Sequence, residues 1–158
     1  MMKKELKKRL SDLELEYLKE MHPAVPEFAL ARTKWSDKNA NALTKSIIKF
    51  IKYNGYQAER INTMGVYRPA KKVIDVVGRS RTLGQGKWTK GTGTRGSSDI
   101  SATIRGRAVK IEVKYGKDRQ SEYQKAYQED IEKAGGVYII AKTLPEFVEW
   151  YDDFIKNI

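Results

Sequence analysis

Cysteine is absent from this chain of 158 residues, and histidine occurs only once, as His22. These shortages exclude disulfide bridges, thiolate metal sites and multi-histidine zinc sites. Long apolar runs are missing as well, since a run such as Val137–Ala141 is far too short to cross a membrane. The N-terminus is charged and lacks the apolar stretch of a secretory signal. The sequence therefore predicts a cytoplasmic domain without membrane contact, whose chemistry comes from carboxylates, lysines or hydroxyl groups.

Acidic residues are scarce in one central segment of the chain. Residues 60–119 hold 15 lysines and arginines against four acids, so this segment accounts for the whole net charge of +11. Within it, residues 78–97 contain five basic residues, no acid and six of the twelve glycines. A basic stripe of one sign is typical of proteins that bind a polyanion. The alternative is a flexible basic loop that is simply solvated.

The spacing of apolar residues predicts a mixed α/β chain in two parts. Residues 1–34 are expected to form an N-terminal helix over 3–21 and a linker, and residues 35–158 are expected to form one domain. The domain's helices are expected to follow Ser36, Ser121 and Thr143 as N-caps, and its strands to cover 56–61, 72–77, 100–104, 108–113 and 137–141. The N-terminal helix is amphipathic and packs either on its own domain or on a second copy in a homodimer.

The segment from Asp99 to Lys114 predicts an antiparallel hairpin around Arg105-Gly106. In that register the numbers of opposed residues sum to 211, so Asp99 faces Glu112. Alternation then places one apolar set on the core face: Ile100, Ala102, Val109, Ile111 and Val113. The other face carries the polar set: Asp99, Ser101, Lys110, Glu112 and Lys114.

Two carboxylates on neighbouring strands repel each other unless a cation or a proton lies between them. Asp99 and Glu112 therefore predict a site for Mg²⁺, with a backbone carbonyl and waters as further ligands. Lys114 lies on the same face, where it can orient or deprotonate an attacking water or stabilise negative charge on phosphorus. Spacing alone leaves a plain alternative, in which Glu112 pairs with Lys110 or Lys114 on an exposed strand.

Four short motifs, taken in order, resemble those of one nuclease family. They are Gly96-Ser97-Ser98-Asp99-Ile100, Ile111-Glu112-Val113-Lys114, Ser121-Glu122-Tyr123-Gln124 and Lys133-Ala134-Gly135-Gly136-Val137-Tyr138. Their order and spacing are similar to those of the PD-(D/E)XK nuclease superfamily. More narrowly they resemble its VRR-NUC group of virus-type replication-repair nucleases, which includes stand-alone phage proteins. The similarity covers residues 38–150.

This resemblance implies a restriction-endonuclease-like α+β core, with a mixed sheet flanked by helices and an N-terminal helical appendage. It also implies hydrolysis of phosphodiester bonds that depends on Mg²⁺ or Mn²⁺. By the same resemblance, Asp99, Glu112 and the Val113 carbonyl bind the metal. Lys114 is then the catalytic lysine, and Gln124 reaches the site from its helix. Gln124 has a second interpretation, because three residues after Ser121 it completes a capping box.

The chain departs from this family at the first helix of the domain, where the family usually places a glutamate that faces the metal. Asn41 occupies the corresponding position, with Asn39 and Asp37 as further candidates. An amide oxygen can hold a metal-bound water but adds no negative charge to the site. Asp75 is expected to substitute if its strand neighbours the hairpin, and otherwise it is an acid at a strand edge.

The basic segment before Asp99 is expected to contact DNA through Arg79, Arg81, Lys87, Trp88, Lys90 and Arg95. Trp88 either stacks on an exposed base or anchors the segment to the core. With the resemblance, these residues predict a Mg²⁺-dependent DNA endonuclease that acts on branched DNA, such as four-way (Holliday) junctions, as a homodimer in a bacterial or phage-like setting. A flap or single-strand nuclease has the same sequence features. The alternative from another class is a nucleic-acid-binding module that keeps the nuclease fold without turnover.

Overall fold

The computed structural model describes residues 4–62, 65–89, 91 and 93–158. The helices are α1 (Lys4–Met21), α2 (Ala40–Tyr53), α3 (Glu122–Lys133) and α4 (Leu144–Lys156), with a short 3₁₀ helix at Glu27–Ala29. The strands are β1 (Gln57–Arg60), β2 (Val66–Arg68), β3 (Lys71–Ile74), β4 (Ser80–Leu83), β5 (Lys87–Thr89), β6 (Ile100–Ile104), β7 (Arg107–Val113) and β8 (Val137–Ala141). The mixed α/β class expected from the sequence is confirmed. No helix in this described part of the chain is long and apolar enough to span a membrane.

The central sheet has the strand order β1-β6-β7-β8. Strands β1, β6 and β7 are antiparallel neighbours, whereas β8 runs parallel to β7. A parallel neighbour needs a crossover, and α3 provides it between β7 and β8. The expected bounds of β6 and β8 are confirmed to the residue, and the sheet is mixed, as expected.

The main core lies on one face of this sheet, under α2 and α4. The core face of the β6–β7 hairpin meets an apolar stripe of α2 that comprises Leu43, Ile47, Phe50 and Ile51, all fully buried. The Phe50 ring makes edge-to-face contacts with Phe147 and Tyr151 of α4, a favoured geometry for aromatic pairs. The other face of the sheet is covered by α3, whose Tyr127 contacts Tyr138 of β8.

Helix α1 packs on its own chain, which is one of the two arrangements that its amphipathic pattern allowed. Leu10 is fully buried in the same core cluster as α2 and α4. Arg9 donates two hydrogen bonds to the Asp152 carboxylate, at 2.5 and 2.6 Å. Glu14 is buried and accepts hydrogen bonds from the Thr33 backbone amide and the Trp35 indole.

The predicted N-cap of α2 is wrong. The helix is capped by Asn39, whose Oδ1 accepts a hydrogen bond from the Ala42 amide at 2.8 Å. Asparagine is as good an N-cap as serine. Ser36 is occupied elsewhere, because its amide donates to the Ser46 hydroxyl and its carbonyl accepts from the same group. The predicted caps Ser121 and Thr143 are confirmed.

The glycine-rich segment 78–97, expected to be a loop, instead contributes β4 and β5 to a two-stranded antiparallel structure. Strand β2 pairs with β5, and β3 pairs with β4, each in its own two-stranded sheet. We call residues Val66–Thr89 the ribbon. Asp75–Arg79 forms the turn at its tip, where the Asp75 amide donates to the Arg79 carbonyl at 2.9 Å. None of residues 65–89 is buried, so the ribbon has no apolar face of its own.

Candidate active site

The β6–β7 hairpin sets the register on which the site depends. Ile100 pairs with Ile111 and Ala102 with Val109, so opposed numbers sum to 211, as predicted. The two-residue turn Arg105-Gly106 has φ of 47° and 75°, the left-handed values of a type I′ hairpin turn. Continuing the ladder by one residue places Asp99 across from Glu112. The predicted core face is confirmed, because Ile100, Ala102, Val109, Ile111 and Val113 are all buried.

Asp99 is held by the backbone of the neighbouring strand. Its Oδ2 accepts a hydrogen bond from the Val113 amide at 2.9 Å, and its carbonyl accepts one from the Ile61 amide at 2.8 Å. The preceding Ser98 is buried, and its hydroxyl donates to the Ile100 carbonyl. Asp99 is therefore fixed to two neighbouring segments: its side chain to β7, and its carbonyl to the residue that follows β1.

Gly96 explains why the motif before Asp99 contains glycine. Its φ is +87°, and a Cβ at this position would collide with the backbone carbonyl of Tyr123 in the first turn of α3. Only glycine combines this dihedral angle with such a close approach. The motif that carries Asp99 is thus packed directly on the helix turn that carries Gln124.

Glu112 is the most constrained acid of the site, with 2% of its surface exposed. Its Oε1 accepts hydrogen bonds from Gln124 Nε2 at 2.5 Å and lies 3.1 Å from Lys114 Nζ. Its Oε2 is buried, and no described residue hydrogen-bonds it. The pKa of Glu112 is raised to about 7, first by burial and then by the nearby Asp99 carboxylate, against the opposing effect of Lys114.

Lys114 lies under α3 with its ammonium group surrounded by oxygen atoms. Its Nζ donates to Gln124 Oε1 at 3.0 Å and lies 3.4 Å from a carboxylate oxygen of Asp118. Burial by itself lowers the pKa of Lys114, but Glu112 and Asp118 together outweigh it and the net shift is upward. In this arrangement Lys114 is held as a cation, which disfavours the role of a base for water.

Gln124 satisfies both interpretations offered by the sequence. Its backbone amide and side chain form a capping box with Ser121 at the start of α3. The same side-chain carbonyl that accepts from the Ser121 amide, at 3.0 Å, also accepts from Lys114. The amide end donates to Glu112. The cap therefore fixes a side chain that bridges the acid and the lysine.

Asp118 was not among the predicted site residues. It lies in the turn after β7, where its amide donates to the Tyr115 carbonyl, and its carboxylate is the second anionic partner of Lys114. The spacing of four residues from Lys114 was the available sequence signal. It is weak, because in a loop such spacing does not by itself bring two side chains together.

The oxygen atoms of the acid pair fit the implied Mg²⁺ or Mn²⁺. A buried carboxylate oxygen without a hydrogen-bond donor, opposite a second carboxylate, fits a hard cation that takes oxygen ligands. Asp99 and Glu112 would hold the ion, and the role of the Val113 carbonyl remains a prediction. Within the described residues no group of three or more His, Cys, Asp or Glu lies together, so the protein offers at most two carboxylates to one ion here.

The three candidates for the family's helix glutamate lie at or just before the start of α2, and each is engaged in other contacts. Asn41 is exposed, and its Oδ1 accepts from Arg60 Nη1 at 2.7 Å. Asn39 caps α2, and Asp37 accepts from the Leu144 amide at 3.3 Å. Among the described residues, none of these three side chains hydrogen-bonds Asp99 or Glu112.

The expected substitution by Asp75 requires its strand to neighbour the hairpin, and it does not. Strand β3 pairs only with β4 among the described strands. The Asp75 carboxylate instead accepts from the Val77 and Arg79 amides and lies 3.5 Å from Arg81. It is a turn-forming acid at the tip of the ribbon.

Of the residues expected to contact DNA, four lie in the ribbon and Arg95 follows it in the chain. Arg79 and Arg81 lie at the tip and on β4, and Lys87 and Trp88 on β5. Trp88 is 62% exposed and packs across the ribbon against Gly65 rather than in the core. The Arg95 guanidinium lies 3.7 Å from the centre of the Tyr123 ring, a cation–π contact. Lys90 lies outside the described residues.

No protein-family model matches the chain, and no curated protein matches its sequence. The structure itself shows a mixed α/β chain in which a β-hairpin and one helix turn bring two carboxylates, a lysine and a glutamine together. Chemically, this group can bind a divalent cation and place one ammonium group beside it. Such a combination suits a substrate that carries negative charge and gains more in the transition state.

Proposed function

We propose that this chain is a Mg²⁺- or Mn²⁺-dependent DNA endonuclease of the PD-(D/E)XK type, within the VRR-NUC group, which hydrolyses phosphodiester bonds in branched DNA. One observation carries the proposal: Asp99 and Glu112 face each other while Lys114 and Gln124 converge on Glu112. The four residues come from the motifs that resemble this family. The proposed partner is a second copy of the chain, since a junction offers two equivalent strands.

Each residue has a role that follows from its surroundings. A bound Mg²⁺ would supply an activated water and neutralise charge on the scissile phosphate. Asp99 and Glu112 bind that ion, and Asp99 is positioned for this by the Val113 amide. Lys114, kept protonated by Glu112 and Asp118, stabilises the charge that develops on the phosphate oxygens. Gln124 holds the Lys114 ammonium and the Glu112 carboxylate in place.

The proposal is tested by cleavage of labelled four-way junction, flap and linear duplex DNA in Mg²⁺. We expect paired cuts in the junction, their loss in EDTA, and a fall of about 10²-fold or more in rate for Asp99→Asn and for Lys114→Met. Lys110→Met is the matched control for the lysine, since Lys110 lies on the same strand and face but contacts Ser101. Asp153→Asn on α4 is the control for the acid, and both controls should cleave at the wild-type rate.

The possible results separate the chemistry from the substrate. Cleavage of flap or linear DNA alone, with the same loss in both site variants, would keep the nuclease and discard the preference for junctions. Equal rates in Lys110→Met and Lys114→Met would remove Lys114 from the mechanism. Tight DNA binding with no cleavage in either Mg²⁺ or Mn²⁺ would overturn the enzymatic proposal.

One observation favours a second candidate, a DNA-binding module without turnover. Helix α2 has Asn41 where the family usually has a glutamate, and the Asn41 side chain accepts a hydrogen bond from Arg60. Such a module should show no rise in melting temperature when Mg²⁺ or Mn²⁺ is added, whereas the nuclease should be stabilised by either ion, less so in Asp99→Asn.

A further inference from the structure

The ribbon is inserted in the chain between two residues that meet at the candidate active site. It leaves the central sheet after β1 and returns before β6, and the Ile61 amide and the Asp99 carbonyl at these two points are hydrogen-bonded at 2.8 Å. The return path passes Gly96, which packs on the first turn of α3. The chain thus departs toward the ribbon beside Asp99, and it comes back past the helix turn that carries Gln124.

The ribbon's charge is almost entirely of one sign. Six basic residues lie along it, against the single acid Asp75: Arg68, Lys71, Lys72, Arg79, Arg81 and Lys87. Asp75 is already engaged by two backbone amides and by Arg81 in the tip turn. The cations occur on both strands and at several levels, for example Arg68 opposite Lys87. They therefore follow the length of the ribbon, as phosphate contacts along a nucleic acid would require.

The tip of the ribbon is apolar, which is unusual for a turn in water. Val76 and Val77 occupy the turn itself and Ile74 precedes it, with exposed fractions of 106%, 73% and 77%. Turns usually carry Gly, Pro, Asn, Asp or Ser at such positions. Gly78, at φ +78°, and the Asp75 carboxylate already close this turn, so the turn geometry does not explain the valines.

An aromatic pair stiffens the base of the ribbon. Tyr67 and Trp88 are opposed across β2 and β5, and each ring lies over a glycine of the other strand. The Trp88 indole nitrogen lies 2.6 Å from where a Cβ of Gly65 would be, and the Tyr67 ring occupies the corresponding position at Gly86. A two-stranded ribbon is marginally stable alone, and this packing stabilises the pairing of β2 with β5.

We propose that the ribbon is a DNA-inserting arm, in which the basic shaft lies along a groove and the apolar tip packs against unstacked bases at a branch point. The proposal rests on the proposed function only in taking DNA as the substrate. A two-stranded ribbon fits the major groove, which is about 12 Å wide. Apolar side chains that wedge between base steps are a known means of recognising kinked or open DNA. The arm thereby selects branched DNA for the adjacent carboxylates.

The test measures binding of the full chain in EDTA to four-way junction and continuous duplex DNA, with 2-aminopurine at the branch point. The tip variant is Val76→Thr with Val77→Thr, which keeps side-chain shape and β-branching. The shaft variant is Lys71→Gln, Lys72→Gln and Lys87→Gln. Its matched control removes three exposed lysines of the helices instead: Lys8, Lys45 and Lys52.

The two variants should fail differently. The tip variant is expected to keep duplex affinity, to lose about fivefold or more in junction affinity and to lose the 2-aminopurine signal. The shaft variant should weaken binding to both DNAs and lower the slope of log K against log salt by about one per phosphate contact removed. The helix-lysine control should retain the wild-type slope and the junction preference.

Other outcomes overturn the proposal in distinguishable ways. If the wild type binds and cuts junctions but both variants behave like it, the arm is wrong and the nuclease stands. If the wild type binds no DNA, the proposed function fails first. If the tip variant converts a dimer into a monomer in sedimentation, or loses binding to phosphatidylserine vesicles, while its DNA affinity is unchanged, the tip serves a second copy or a membrane instead.

Discussion

At the scale of single residues, Glu112 concentrates the chemistry of the site because three features meet on one carboxyl group. It is almost fully buried, it faces Asp99, and one of its oxygens has no hydrogen bond from the described residues. The pairing with Asp99 was predictable, since a period of two and a two-residue turn fix the register. The raised pKa was not, because it depends on burial under α3, which spacing within one strand does not reveal.

The raised pKa of Glu112 predicts how stability depends on pH without divalent ions. A carboxyl whose folded pKa, about 7, exceeds its unfolded value of 4.5 binds its proton more tightly in the folded state. Stability is therefore gained at low pH and lost as the pH rises through 7. Glu112→Gln should remove this loss, roughly 2 kcal/mol after allowance for solvent screening.

Thermal unfolding in EDTA between about pH 4 and about pH 8.5, a range that brackets both pKa values, would check this prediction. The exposed Glu149→Gln is the control, and its melting temperature should follow the wild-type pH profile. A Glu112→Gln variant with the same pH slope as the wild type would contradict the assignment of the titration to Glu112.

At the scale of elements, α3 could be read from the sequence, whereas only one strand of the ribbon was predicted, over 72–77 where β3 covers Lys71–Ile74. Ser121 and Gln124 spell a capping box, and Gly135-Gly136 ends the helix, where Gly135 has φ +80°. A two-stranded ribbon has no buried face, so its strands need no alternation of apolar and polar residues. Its glycines, such as Gly86 under the Tyr67 ring, therefore resemble those of a loop.

The docking of α1 gives a prediction for an element rather than for the active site. Glu14 accepts hydrogen bonds from Thr33, Trp35 and Lys49. Burial raises its pKa, but the contacts with Thr33 and Lys49 outweigh burial, so the net shift is downward. Glu14→Gln should cost about 3 kcal/mol at pH 7, because Lys49 loses its buried partner. Since the folded pKa is depressed, this cost should shrink as the pH falls below about 4.5.

Denaturant unfolding measures that cost, with Glu16→Gln on the exposed side of α1 as the control. The control should unfold at the wild-type midpoint. If Glu14→Gln did the same, the buried cluster would not be what fastens α1 to the rest of the chain.

At the scale of the whole molecule, charge and core are segregated. The described core is shared by α1, α2, α4 and the central sheet, whereas the ribbon contains no buried residue and carries six basic residues against one acid. The excess of charge in residues 60–119 was visible in the sequence. Its arrangement on a projecting two-stranded arm was not, because strand pairing between residues 66–74 and 80–89 leaves no mark on composition.

This segregation predicts that the ribbon can be removed without unfolding the rest. Replacing Val66–Thr89 by a short Gly-Ser linker deletes no core residue, so the melting temperature should stay within about 4 °C of the wild type, the shift expected for roughly 1 kcal/mol. Calorimetry would measure it, and a substitution of the buried Leu10 by Ala is the positive control, with an expected loss of about 2–5 kcal/mol. Loss of cooperative unfolding in the shortened chain would show that the ribbon stabilises the sheet.

The hydrogen bond between Ile61 and Asp99 has a consequence for how such a protein can evolve. Because that bond joins the sheet on both sides of the insertion, a segment between the two residues costs only the entropy of closing a loop. This cost grows slowly with the length of the segment. The part of the gene that encodes this segment can be lengthened, shortened or exchanged by recombination while β6 and β7 keep their register. Lineages that share this hairpin are then free to diverge in the inserted segment while they keep Asp99, Glu112, Lys114 and Gln124 in the same arrangement.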